Sequence, residues 1–104
     1  AYNNEIRNAL MNRRIDVDTK LSIFSTYIVG LMKKKQELNR VDSLFAEMLE
    51  QYPQEEPVHR LFGMYLSSRK DFSRAEEQYA IAADLAPTNP ENWLQLIGLY
   101  LYQE

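Results

Sequence analysis

Cysteine is absent from this chain of 104 residues, and glycine appears only three times. Without a thiol there is no disulfide framework, no thiolate zinc site and no cysteine nucleophile. No Gly-rich loop suited to cradling phosphate occurs, nor any nucleophile elbow or metal-ligand spacing. His59 is the single histidine. A lone His near a helix start reads as a surface or capping residue rather than a base or ligand. The adjacent acids Glu55-Glu56 and Glu76-Glu77 have no second carboxylate at a spacing suited to glycoside or metal chemistry. These absences argue against an enzyme, a cofactor or a metal. No apolar run approaches the ~20 residues that a membrane-spanning helix needs, so direct membrane insertion is not expected. The opening Ala1-Tyr2-Asn3-Asn4-Glu5 is not a signal peptide, which says little about a longer parent protein. The compartment is left open.

Leu, Ala, Glu, Gln, Met, Lys and Arg dominate, while β-branched residues are few. The dominant types lose little rotamer freedom in a helix, so the composition predicts an all-α protein. Hydrophobic residues make up 45% of the chain, with seven Tyr and four Phe, enough to fill one core. The chain reads as a single domain over 1–104. A net charge of −3 argues against nucleic acid, which needs a concentrated positive field. Arg13-Arg14 and Lys33-Lys34-Lys35 are too short and isolated to make a track for it. The charge is nonetheless uneven. Residues 1–40 carry eight Lys/Arg against four Asp/Glu, and residues 41–104 carry four against eleven. Such a chain either steers a partner or stacks head to tail, or it merely presents two solvated faces in succession.

A repeat runs through the sequence. Pro53 and Pro87 lie 34 residues apart, and the same shift brings apolar and small residues into columns. Ile28, Phe62 and Leu96 share one column; Met32, Leu66 and Tyr100 share another; Val29, Gly63 and Ile97 form a third. Leu38 aligns with Phe72, Val41 with Ala75, Phe45 with Tyr79, and Met48 with Ala82. Inside each unit the apolar residues recur at helical spacing, and the polar breaks Lys34-Lys35-Gln36 and Arg69-Lys70-Asp71 divide the unit into two antiparallel helices. Gly63 and Ala75 are expected where those helices cross, because a bulky side chain there would push the axes apart.

End signals agree. Asp71 is the expected cap of the helix running to Leu85, and Asn89 the cap of the next, with Pro90 in its first turn. Pro57 plays the same part after Glu55-Glu56. Asp18 or Thr19 is the expected cap of the helix ending near Lys35. Residues 2–15 read as a further helix with Ile6, Ala9 and Leu10 as its stripe, followed by the connection Ile15-Asp16-Val17-Asp18.

The 34-residue period, with an aromatic column, a small crossing residue, Ala-x3-Tyr and a closing proline, resembles the tetratricopeptide repeat. The middle unit, 56–89, supplies Phe62, Gly63, Leu66, Ala75, Tyr79, Ala82 and Pro87. The unit before it, 22–55, supplies Ile28, Met32, Val41, Phe45 and Pro53, with Val29 and Val41 where a glycine and a small residue are usual. A third unit, 90–104, supplies Trp93, Leu96 and Tyr100 and corresponds to a first helix alone. Residues 2–15 are either a degenerate repeat half or an N-terminal cap. The resemblance implies a right-handed α-α superhelix, here a fragment of a longer repeat protein, that binds a peptide or partner protein on its concave face. The alternative is an architectural or regulatory segment of a larger, exported or membrane-anchored protein, with no ligand of its own.

By column, the concave face implied by this resemblance includes Thr26, Lys33, Lys34, Arg60, Met64, Ser67 and Tyr102. Some relatives clamp acidic chaperone tails with Lys, Asn and Arg. The corresponding columns here hold Thr26, Gly30, Leu61, Met64, Glu91 and Gln95, so that clamp is missing. The helix from Glu91 to about Gln103 is apolar nearly all the way round, which predicts a homo-oligomer formed through its exposed side.

Overall fold

The computed structural model describes residues 2–34 and 38–103, with the side chains of 5–30 and 41–102, and all of its regular structure is helical. Six helices follow one another: α1 (Tyr2–Met11), α2 (Val17–Lys34), α3 (Leu38–Gln51), α4 (Glu56–Ser68), α5 (Phe72–Leu85) and α6 (Pro90–Gln103). The protein is therefore all-α. The chain forms two compact units, Ala1–Pro53 and Gln54–Glu104.

In the first unit, α1 packs against both α2 and α3. It ends at Met11, four residues before the expected boundary. Asn12 is the reason: its side-chain oxygen accepts from the Arg14 N–H at 2.9 Å and its carbonyl from the Ile15 N–H at 3.2 Å, turning the chain. The cap of α2 also differs from expectation. Asp16, not Asp18 or Thr19, accepts from the Thr19 N–H at 2.7 Å, and the helix begins at Val17. That bond to the Thr19 backbone, with a smaller share from its side chain, holds the Asp16 carboxyl below its ordinary range. The core gathers Leu10, Phe24, Tyr27, Ile28, Val41, Leu44, Phe45 and Met48. Phe24 meets Phe45 with ring centroids 4.5 Å apart. Of the expected break, Lys35 and Gln36 lie outside the described residues, as do the side chains of Met32, Lys33, Lys34 and Leu38.

The second unit is built on the α4–α5 hairpin. His59 meets Gln78 while Arg74 lies over the Phe62 ring, the pairing order that antiparallel helices require. The turn between them is a Schellman motif. The Asp71 N–H reaches the Leu66 carbonyl and the Lys70 N–H the Ser67 carbonyl, both at 2.9 Å. Lys70 consequently sits at φ 64°, a left-handed position that glycine usually fills. Asp71 caps α5 through the Arg74 N–H, and Asn89 caps α6 through the Glu91 N–H at 3.0 Å. Pro57 stands in the first turn of α4, as anticipated. α6 returns along α5, with the Tyr102 ring 4.8 Å from that of Phe72.

Gly63 and Ala75 both lie buried in this hairpin. A Cβ built on Gly63 would stand 3.0 Å from the Tyr79 ring, which is itself 1% exposed. The helices approach closely because Gly63 has no side chain there. Gly63→Ala should therefore lose stability by about 1 kcal/mol despite the better helix propensity of alanine, because the enclosed ring has little room to retreat. Ala75→Leu should cost about 1–3 kcal/mol for the same reason. Thermal melting of the two variants is the check, and an unchanged midpoint for both would contradict the tight crossing.

Tyr79 also carries a pH signature. Burial raises its phenol above the ordinary tyrosine range, with the Ser67 hydroxyl opposing the shift. A raised folded value means that this contribution is complete below the unfolded pKa of about 10 and disappears as pH climbs through the folded one. Alkaline unfolding should thus begin above about pH 10, and Tyr79→Phe should remove that part of the loss.

Candidate interaction surfaces

The sequence-predicted residues divide between the two units. On α4, Arg60, Met64 and Ser67 fall four and three residues apart and share one stripe. Their surroundings differ. Arg60 joins Glu56 through Nε at 3.1 Å and Glu91 through Nη1 at 3.0 Å, and Asn89 donates to the other Glu56 oxygen at 3.5 Å. Two carboxylates thus face this guanidinium, and its remaining field toward a ligand is weak. Ser67 is half-buried beside the Tyr79 phenol. Met64 is 48% exposed and is the apolar member of the stripe that reaches solvent. Tyr102, on α6, is 67% exposed although one side of its ring rests on Phe72.

His59 is buried, not at the surface. Its Nδ1 lies 2.8 Å from Gln78 Oε1, within hydrogen-bonding distance. The 34-residue shift sets His59 opposite Trp93, a large side chain that marks the column as a packing position. Trp93 itself is 44% exposed, its indole N–H donating to the Pro87 carbonyl at 3.0 Å.

In the first unit Thr26 is exposed and returns its hydroxyl to the Ser22 carbonyl at 3.0 Å. With Ile6, Ser22, Ile23 and Tyr27 it lines an open, mainly apolar groove of about 380 Å³. Lys33 and Lys34 belong to the last turn of α2, their side chains outside the described residues. A second open cleft, of about 480 Å³, lies between α1 and α3; Arg7 and Glu47 meet across it at 2.9 Å, with Arg13 and Glu50 at its margin.

Two buried polar residues escaped sequence reasoning. Lys20 is wholly buried, its ammonium donating to the Tyr52 hydroxyl and lying 4.7 Å from the centre of that ring. Its place four residues before Phe24 put it on the buried stripe of α2, a signal masked by its charge. Asn92 is wholly buried too, and neither amide atom finds a hydrogen-bond partner. The 34-residue shift sets it opposite Val58, an apolar position.

Among the described residues no group of three His, Asp or Glu is placed to hold a metal, and no helix is long and apolar enough to cross a membrane. No protein-family model, curated protein or solved structure matches the chain.

An unpaired buried carboxamide costs about 1–3 kcal/mol. Asn92→Leu, which keeps the branched skeleton of the side chain without its polar atoms, should therefore raise stability by an amount of that order. Denaturant titration is the check, and a loss of stability would mean that the amide has a partner such as a bound water.

Proposed function

We propose that this chain is part of a tetratricopeptide-type right-handed solenoid belonging to a longer repeat protein, and that it acts by holding a peptide or partner protein rather than by catalysis. The observation that carries the reading is a match between α4 and α6, which both pack in the same unit. At the 34-residue shift Val58 and Asn92 are each 0% exposed, Phe62 and Leu96 each 5%, and Tyr65 and Leu99 3% and 7%. Three positions of one helix are thus buried again in the other, as stacked copies of one structural unit require.

Within this reading the α4 stripe is the contact surface, and Met64 is its anchor. A flexible thioether suits an apolar side chain on an extended or helical peptide. Arg60 shapes the stripe through Glu56 and Glu91 more than it attracts acid. The architectural alternative draws support from that same pairing, since the most distinctive cation on the stripe is already neutralised within the chain.

Binding to an array of diverse peptides distinguishes the two. Peptides with an apolar anchor should bind the chain, and Met64→Glu should weaken them at least about tenfold, the equivalent of 1.4 kcal/mol, without moving the melting temperature. Arg60→Gln should affect acidic and apolar peptides alike. An array in which no peptide binds would favour the architectural segment, and a selective loss of acidic peptides on Arg60→Gln would restore Arg60 as a direct contact.

A further inference from the structure

Arg60 and Met64 stand four residues apart on α4, a step of about 6 Å along the helix axis. Around Arg60 the charges do not balance. Its guanidinium, 26% exposed, meets Glu56 on one side and Glu91 on the other, so two carboxylates share one cation. The two acids are placed differently. The Glu56 side chain is 12% exposed, and Asn89 donates to its second oxygen. Glu91 is 54% exposed and gives only Oε2 to Arg60, while no donor among the described residues reaches its Oε1. The uncompensated charge therefore lies on the carboxylate that a ligand can reach, one helical turn from the exposed thioether of Met64.

We infer that Glu91 sets the specificity of the α4 contact surface: the peptide held against Met64 carries a lysine or arginine two residues from its apolar anchor, and that cation pairs with Glu91. The inference rests on the peptide-holding proposal and names the class of ligand for it. Spacing is the first argument. On an extended peptide, side chains two residues apart share a face and lie about 6.8 Å from one another. That matches the step from Met64 to Arg60, where Glu91 is moored. Adjacent side chains point to opposite faces, so neighbouring residues cannot engage both groups.

Charge is the second argument. An acidic side chain at this place meets two carboxylates, and the guanidinium between them already donates through Nε and Nη1. A neutral side chain leaves Glu91 Oε1 to water. A cation gains a charge-assisted hydrogen bond there and brings the group of charges to balance. Because Arg60 cancels most of the field at a distance, Glu91 sorts peptides that Met64 has already engaged rather than drawing them in. The pair stays exposed, so the preference it confers is about two- to fivefold in affinity.

Fluorescence anisotropy with the whole chain tests this on short labelled peptides that have a leucine anchor and are otherwise uncharged. Lysine, glutamine or glutamate is placed one or two residues to either side of the leucine. Lysine at the two-residue spacing should bind about two- to fivefold more tightly than glutamine, and glutamate more weakly than either. Lysine next to the leucine should bring no gain. Glu91→Gln should abolish the lysine preference and leave the glutamine peptide unchanged, and Glu91→Lys should pass the preference to glutamate. Glu77→Gln, on the exposed face of α5, removes the same overall charge and should change nothing. Circular dichroism and melting confirm that each variant keeps its fold. Equal binding of the three peptides, a lysine preference that survives Glu91→Gln, or an equal loss on Glu77→Gln would overturn the inference and leave the peptide-holding proposal standing. A gain from lysine at both spacings would overturn the extended pairing with Glu91. Absence of binding by every peptide would overturn both proposals together.

Discussion

The second unit depends on the contact between a residue with no side chain and a buried ring. Gly63 lets α4 come close enough for the Tyr79 ring to lie where a methyl group would otherwise be. Once the axes are that near, Ala75 has to be small, His59 comes within reach of Gln78, and the connection has to close in a few residues. The Schellman turn does so at the cost of a lysine in the left-handed region. Close packing converts one absent Cβ into constraints on several other positions, because the interior of a protein has no slack to absorb a mismatch.

Charge in this protein is directed inward more than its composition suggests. Arg60 is bracketed by Glu56 and Glu91, Arg7 by Glu47, and the Lys20 ammonium is withdrawn onto Tyr52. Exposed pairs of this kind contribute little stability, but they hold helix ends in a defined relation and reduce the field available to a ligand. On α4 and α6 the second unit exposes apolar side chains, Met64, Trp93, Leu94, Ile97 and Leu101 among them, beside a charged outer face of α5 that carries Arg74, Glu77 and Asp84. Recognition by shape and burial, rather than by attraction at a distance, is the mode that such surfaces favour.

Helix content and most helix limits were legible in the sequence because their causes are local. Asp71, Asn89 and the prolines act on the backbone within a turn, and the structure places the caps of α5 and α6 as their side chains require. The misplaced ends have a local cause as well. Asp16 competed with Asp18 and Thr19, which are of similar chemistry, and propensity alone does not rank such caps; Asn12 ended α1 by hydrogen bonds to its own downstream backbone. The pairing of Arg60 was legible only in part. Its two acidic partners lie four and 31 residues away, and only the nearer is implied by helical spacing.

The sequence by itself determined that the chain is helical, roughly where each helix starts and stops, and that its apolar residues recur every 34 positions. These are properties of neighbouring residues and of spacing. Tertiary structure alone decided which equivalent positions are covered. Leu66 and Tyr100 occupy the same column and are both apolar, yet one is 1% exposed and the other 48%. The difference lies in whether a second helix packs against that face, and burial is a relation between elements that no column of residues contains.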